Sequence, residues 1–188
     1  MYIAIEGIDT AGKSTQLDIL KTNYPNATFV KEPGGTKIGT QLRTLLLNGA
    51  VKSKMAEMFL FLADRAELIE ETIKPNLKSM IISDRSMISG IAYASLMPIE
   101  ELIKLNLMAT SNIVPTHTIL LKLSQKELEY RLSLKEHDSI ESRGVDYLLD
   151  IQDRLEKSIT SLKLNYLLVD AALSIEEISN KIEGFING

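Results

Sequence analysis

The 188-residue sequence has no cysteine, no tryptophan and only two histidines. Without thiols, disulfides and thiolate metal sites are excluded, which fits a reducing compartment. No second His or Cys lies near His117 or His137, so both read as surface residues rather than ligands. A basic excess is also missing. The formal net charge is -4, so duplex DNA or RNA is not an expected partner, and any anion site must be a local cluster of Arg and Lys. No apolar stretch approaches the ~18 residues of a membrane span. Glu6 and Asp9 interrupt the N-terminal apolar run, which therefore does not read as a signal peptide. Repeats, low-complexity segments and clear linkers are absent too. With 45% hydrophobic and 24% charged residues, the composition suits one globular domain over residues 1–188, and a cytoplasmic enzyme is expected.

What is present begins at once. Met1 to Thr15 reads MYIAIEGIDTAGKST, in which Gly7, Gly12, Lys13 and Ser14 fit the pattern G-x-x-x-x-G-K-S/T. The apolar run Tyr2 to Ile5 precedes it as a strand, and Leu17 and Leu20 follow at helical spacing. Strand, glycine loop and helix form the context in which this pattern binds a nucleoside triphosphate. Residues Gly7, Ile8, Asp9, Thr10, Ala11, Gly12, Lys13, Ser14 and Thr15 are the candidate phosphate cradle. Inward-facing amides and the positive helix N-terminus supply fixed partial charge. Lys13 adds a mobile charge for the β/γ-phosphates, and Ser14 a hydroxyl for Mg²⁺.

Short apolar runs then alternate with helical patterns. Strands are predicted at Tyr2–Glu6, Ala27–Lys31, Met80–Asp84, Thr116–Leu123 and Tyr166–Asp170, with a last helix at Ser174–Ile186. This rhythm predicts an α/β fold: a five-stranded parallel sheet with helices on both faces. Ligands of such sheets bind at the carboxyl ends of the strands. The second predicted strand ends in Glu32-Pro33-Gly34-Gly35-Thr36, where a turn is forced and Thr36 can cap the next helix, ending before Asn48-Gly49. Arg43 lies on that helix. From Met55 to Ile73 a longer helix is predicted, with Met55, Met58, Phe59, Leu62, Ala66, Ile69 and Ile73 on one stripe. Phe61 and Arg65 share a face beside it. They could bracket a planar ligand, or Phe61 could pack on a neighbouring helix and Arg65 stand in solvent; spacing alone favours the latter. No acidic partner lies one turn beyond Arg65.

The third predicted strand ends at Asp84, the position of a metal-proximal carboxylate in P-loop proteins, and Arg85 follows directly. Ser89 and Tyr93 lie four apart on the next helix. A further helix is introduced by Pro98, with Glu100 and Glu101 in its first turn. Residues 126–157 are rich in charge, and 135–144 hold few apolar residues. This stretch reads as a mobile lid, over roughly 133–145, or as a solvated helical hairpin.

Taken together, GIDTAGKST (7–15), KEPGGT (31–36), FLFLADRAELIEETIKPNL (59–77), SDRSMISGIAYAS (83–95), Leu105-Asn106 with Pro115, and VDA (169–171) resemble thymidylate kinase over nearly the whole chain. The resemblance implies a P-loop kinase with a mobile lid, usually a homodimer, that moves the γ-phosphoryl of ATP to dTMP with Mg²⁺. Carried over position by position, it implies that Phe61 stacks on thymine and Arg65 donates to its O4. Arg85 and Arg43 hold the acceptor phosphate, with Ser89 beside them, and Tyr93 lies under the sugar. Asp9 meets the acceptor phosphate or sugar, Glu32 the metal-water shell or substrate edge, and Ala171 borders adenine. Asp84 and Ser14 face the metal.

Two departures stand out. Some members carry an Arg where this chain has Thr10; others carry it in the lid, where this chain has Ser139. A catalytic cation must then come from Lys135, Arg131 or Arg143, and Arg143, the only Arg inside the lid segment, is the expected one. Lys122 stands where relatives often have an acidic residue. The rivals are another P-loop nucleotide kinase with a different acceptor, or a switch-type NTPase. For the latter, the run Asn180-Lys181-Ile182-Glu183 is a poor guanine reader, since it ends in Glu and falls in the C-terminal helix.

Overall fold

The computed structural model describes residues 1–134 and 144–188. Its sheet has five parallel strands in the order β2-β3-β1-β4-β5, formed by β1 (Tyr2–Glu6), β2 (Thr28–Lys31), β3 (Ile81–Asp84), β4 (His117–Lys122) and β5 (Tyr166–Asp170). β1 is central and buried throughout, as its unbroken apolar run requires of a strand covered on both faces. Ile5 registers with Asp84 on one side and Ile119 on the other, so the carboxyl ends of β1, β3 and β4 line up. Two backbone bonds carry that alignment beyond the strands: Arg85 N–H donates to Ile5 O and Glu32 N–H to Asp84 O, each at 3.0 Å.

Among the described residues there are eight α-helices: α1 (Lys13–Asn23), α2 (Lys37–Leu47), α3 (Lys54–Leu68), α4 (Met87–Tyr93), α5 (Ile99–Ala109), α6 (Gln125–Ser133), α7 (Val145–Ser161) and α8 (Ile175–Asn187). α1 packs on α8, while α4 packs on α7 and α5, and α3 on α2 and α5. This division follows from right-handed crossovers that leave β1 in one direction and run β2 to β5 in the other. The caps are where the residue types place them. Thr36 Oγ1 accepts the Gly39 N–H at 2.9 Å, and Ser174 and Glu177 form a reciprocal capping box at the start of α8.

The predicted 55–73 helix is not uniform. α3 ends at Leu68 and passes through a π-helical turn at Ile69–Ile73 into a 3₁₀ turn at Lys74–Asn76. Pro75 is the cause: it has no N–H to give Glu71 and its ring crowds that carbonyl. Met58, Ile69 and Ile73 of the stripe are buried, but Met55 and Phe59 are exposed, as are Leu45 and Leu47 on neighbouring α2. The segment 133–145 assigned to a lid falls mostly on residues 135–143, outside the described residues, together with Lys135, His137, Ser139 and Arg143.

Ile5 is fully buried at the sheet centre. Replacing it with Ala removes three methyl or methylene groups and leaves a cavity that the flanking strands cannot close. The expected loss is about 2–5 kcal/mol, read as a lower urea midpoint at unchanged m-value.

Candidate active site

Past β1 the chain turns tightly. Gly7 sits at φ 151°, Thr10 at φ 68° and Gly12 at φ 93°. A side chain at Gly7 would stand 2.9 Å from Leu121 O and 3.2 Å from Ala11 Cβ, so only glycine lets the loop lie against β4. Ile8 and Ala11 are buried and anchor the loop in the core, while Ser14 and Thr15 at the start of α1 are exposed. Lys13 folds back over the loop. Its Nζ donates to Gly7 O at 3.0 Å and Ile8 O at 2.9 Å and stands 4.0 Å from Asp9 Oδ1. Burial pushes its pKa down to about 8, and the Arg85 charge pushes the same way against Asp9.

Arg85 comes from the turn after β3 and adopts a left-handed φ of 67°, uncommon for a side-chain-bearing residue. Its Nη2 donates to Asp9 Oδ1 at 2.6 Å, and its Nη1 to Gly7 O at 3.1 Å and Ser89 Oγ at 3.2 Å. The guanidinium lies 5.5 Å from the centroid of the Tyr93 ring, whose hydroxyl pKa burial raises to about 12. Asp9, Lys13, Arg85, Ser89 and Tyr93 are thus brought together. Next to them, Asp84 Oδ1 is buried with no hydrogen-bond partner. A bare carboxylate oxygen at this strand end, with the Ser14 hydroxyl at the start of α1, is a hard-oxygen donor set that suits a small divalent cation. Among the described residues no group of three His, Cys, Asp or Glu could hold a metal by itself. A cation here would therefore be shared with phosphate oxygens, as Mg²⁺ commonly is.

A second cluster lies at the end of β2. Arg65 is buried at 2% exposure. Its Nε and Nη2 reach Glu32 Oε2 at 2.8 and 2.7 Å, its Nη1 donates to Asn106 Oδ1 at 2.7 Å, and its Nη2 to Ser86 O at 3.4 Å. Glycine at position 90 makes the room, since a Cβ there would be 2.6 Å from Arg65 Nη1. The Arg65 partner that helix spacing does not supply is Glu32, across the fold. Burial pushes the Glu32 carboxyl up, against the Arg65 charge. Adjacent Asp64 accepts the Gly34 N–H at 2.9 Å, so consecutive residues of α3 hold both sides of the cis Glu32-Pro33 bond. Arg43 donates to Pro33 O at 2.9 Å and lies over Gly34. Phe61 is half-buried.

Arg131, one of the three candidate cations, makes a third junction whose loop partners no sequence spacing shows. Arg131 on α6 donates to Thr10 O at 3.0 Å and Ala171 O at 2.6 Å, with Glu127 on its Nε at 2.7 Å. It ties the glycine loop to the loop after β5, which places Ala171 beside the cradle. In the sequence Glu6 marks only a break in an apolar run and Asn106 only part of a motif; neither has a site role there, because a lone acid in an apolar strand and a lone amide in a helix carry no pattern. Lys122 ion-pairs with Glu156 at 2.6 Å and Asp153 at 3.6 Å on α7, which accounts for a cation at that position. Arg143, the expected catalytic cation, lies outside the described residues.

Removing Arg65 would strand a buried carboxylate. Arg65→Ala is expected to cost about 3–5 kcal/mol, measured by urea denaturation; a loss below about 1 kcal/mol would contradict the pairing with Glu32.

The thymidylate kinase family model matches residues 5–182. A thymidylate kinase of Aliarcobacter butzleri is 61% identical over 187 residues, covering 100% of this chain and 99% of the relative. That of Wolinella succinogenes is 54% identical over 187 residues, with 99% and 98% covered. The Nautilia profundicola enzyme is 53% identical over 189 residues, with 100% and 97% covered. This chain belongs to the thymidylate kinase family.

Proposed function

We propose that this chain transfers the γ-phosphoryl of ATP to dTMP, giving dTDP and ADP. One observation supports this above the others: Lys13 of the glycine loop and Arg85 of the β3 turn converge on the Gly7 carbonyl and the Asp9 carboxylate. A cation for the donor phosphates and a cation for an acceptor phosphate therefore stand side by side. An acceptor phosphate oxygen needs no general base to attack phosphorus. It forms the new P–O bond as the bond to the bridging oxygen breaks, and that oxygen leaves on ADP.

In this reading residues 7–15 cradle the triphosphate and Lys13 exchanges its loop carbonyls for phosphate oxygens. Ser14 and Asp84 would hold Mg²⁺, which when bound would supply charge neutralisation for the phosphates. Arg85 and Arg43 bind the acceptor phosphate, with Asp9 and Ser89 fixing the Arg85 guanidinium. Phe61 stacks on the base, and Arg65, made rigid by Glu32 and Asn106, meets its O4. Tyr93 lies under the sugar and Ala171 beside adenine. Arg143, in the segment over roughly 133–145 that lies mostly outside the described residues, is the proposed further cation for the transferring group.

Homodimerisation fits the exposed apolar residues Leu45 and Leu47 on α2, Met55 and Phe59 on α3 and Met108 on α5, helices that pack side by side. Cysteine is absent, and no helix among the described residues is long and apolar enough to cross a membrane; both accord with a cytoplasmic enzyme of a single domain.

A coupled ADP-release assay with a panel of nucleoside monophosphates should show strong stimulation by dTMP. Acceptor-independent hydrolysis, or an equal response to every monophosphate, would reject the reading. Arg143→Ala should lower kcat by about 10³-fold or more while dTMP binding, measured by calorimetry, is retained; a change below about tenfold would move the role elsewhere. Lys13 binds phosphate as the ammonium. With its pKa lowered to about 8, kcat/KM for ATP should fall as pH rises through about 8. A profile flat to pH 10 would contradict that.

A further inference from the structure

Glu6 has no place in the chemistry above, yet its surroundings are unusual. It is fully buried at the last position of β1, immediately before Gly7. Neither of its oxygens ion-pairs with a cation of the described residues. Oε1 takes the Ser86 hydroxyl at 2.7 Å and Oε2 the Ser89 hydroxyl at 2.6 Å. A buried carboxylate held, among the described residues, only by two hydroxyls is a costly way to fill a core position. Burial pushes this carboxyl up and the two serines pull it back. Fold stability would be better served by an apolar side chain.

The gain lies in direction. A carboxylate only accepts, and a serine hydroxyl has one proton. With its proton committed to Glu6, Ser89 Oγ can offer Arg85 only a lone pair, and Nη1 donates to it at 3.2 Å. With its proton also committed, Ser86 Oγ accepts the Ile88 N–H at 3.2 Å and caps α4. Between these two serines and β3, Arg85 holds its left-handed conformation, a backbone state that persists only where its neighbours fix it.

We infer that Glu6 is a positioning residue which, through Ser86 and Ser89, locks the turn carrying Arg85 and aims its guanidinium at the acceptor phosphate. Because Glu6 is bonded in sequence to Gly7, the same clamp sets the acceptor cation against the donor loop. A neutral amide of the same shape would break it. One arm of Gln donates, so one serine must turn its proton toward the Arg85 guanidinium or toward the capped N–H.

This rests on the reading of Arg85 as the acceptor-phosphate ligand, so the test separates the two. Glu6→Gln, Ser89→Ala, Arg85→Ala and the double variant Glu6→Gln/Arg85→Ala are compared in the full chain by calorimetric binding of dTMP and of ATP, with thermal unfolding alongside. Glu6→Gln should raise the Kd for dTMP about tenfold or more and leave that for ATP within about twofold. In the double variant it should add nothing to Arg85→Ala. If Glu6→Gln lowers only the thermal midpoint, weakens both ligands equally, or adds its full effect on top of Arg85→Ala, the inference is overturned. Should Glu6→Gln not fold, Ser89→Ala must show the same dTMP-selective loss, and its absence overturns the inference. If Arg85→Ala weakens dTMP but neither Glu6→Gln nor Ser89→Ala does, the inference alone fails. If Arg85→Ala leaves dTMP binding within about twofold of the parent, the Arg85 reading falls and takes the inference with it.

Discussion

Two cations share one carbonyl. The Gly7 oxygen accepts from Lys13 Nζ at 3.0 Å and from Arg85 Nη1 at 3.1 Å, and Asp9 Oδ1 serves both charges from the other side. Like charges held this close in a partly dehydrated site repel more strongly than they would in water, and after burial this repulsion is the next cause that lowers the Lys13 pKa, to about 8. Such a juxtaposition persists only if the backbone imposes it. Here the imposing element is the register of β1 against β3, which puts Ile5 opposite Asp84 and delivers the glycine loop and the Arg85 turn to one spot. Anionic ligands that take up these two cations would relieve the repulsion, and they would arrive adjacent, as transfer between two phosphates requires.

Around that centre the interior is more polar than its fold demands. Glu6, Glu32, Asp64, Arg65 and Asn106 are all buried, and each is spent on the conformation of a loop or on another buried charge. Asp64 and Arg65 hold the Glu32-Pro33-Gly34 corner; Asn106 and Glu32 fix Arg65; Glu6 fixes the serines around Arg85. An apolar core would be more stable. The common feature is that the loops around the candidate site are held by side chains from two or three different elements, so their geometry does not depend on ligand to form.

The sequence made legible whatever has a local signature. The glycine loop, the alternating strands and helices, and the Thr36 and Ser174 helix starts each lie within a few residues of the features that announce them. Strand ends shifted by only a residue. What stayed hidden is made of long-range pairs. Arg65 meets Glu32 33 residues away, Ser86 meets Glu6 80 away, and Arg131 meets Thr10 121 away. No helical or strand period encodes such a partner, so Arg65 read as a solvated residue until the resemblance supplied a role. The 55–73 stripe misled in a different way. Its periodicity is sound, but Pro75 unwinds its end and its first two turns leave Met55 and Phe59 exposed, so period alone overstates the core.

The most direct test of the shared-carbonyl geometry is a crystal structure with dTMP, Mg²⁺ and a non-hydrolysable ATP analogue. The account predicts Lys13 Nζ moved from the Gly7 and Ile8 carbonyls onto the β/γ-phosphates, and Arg85 within hydrogen-bond distance of the dTMP phosphate. A dTMP phosphate bound out of reach of Arg85, or Lys13 still on its loop carbonyls with nucleotide present, would contradict it.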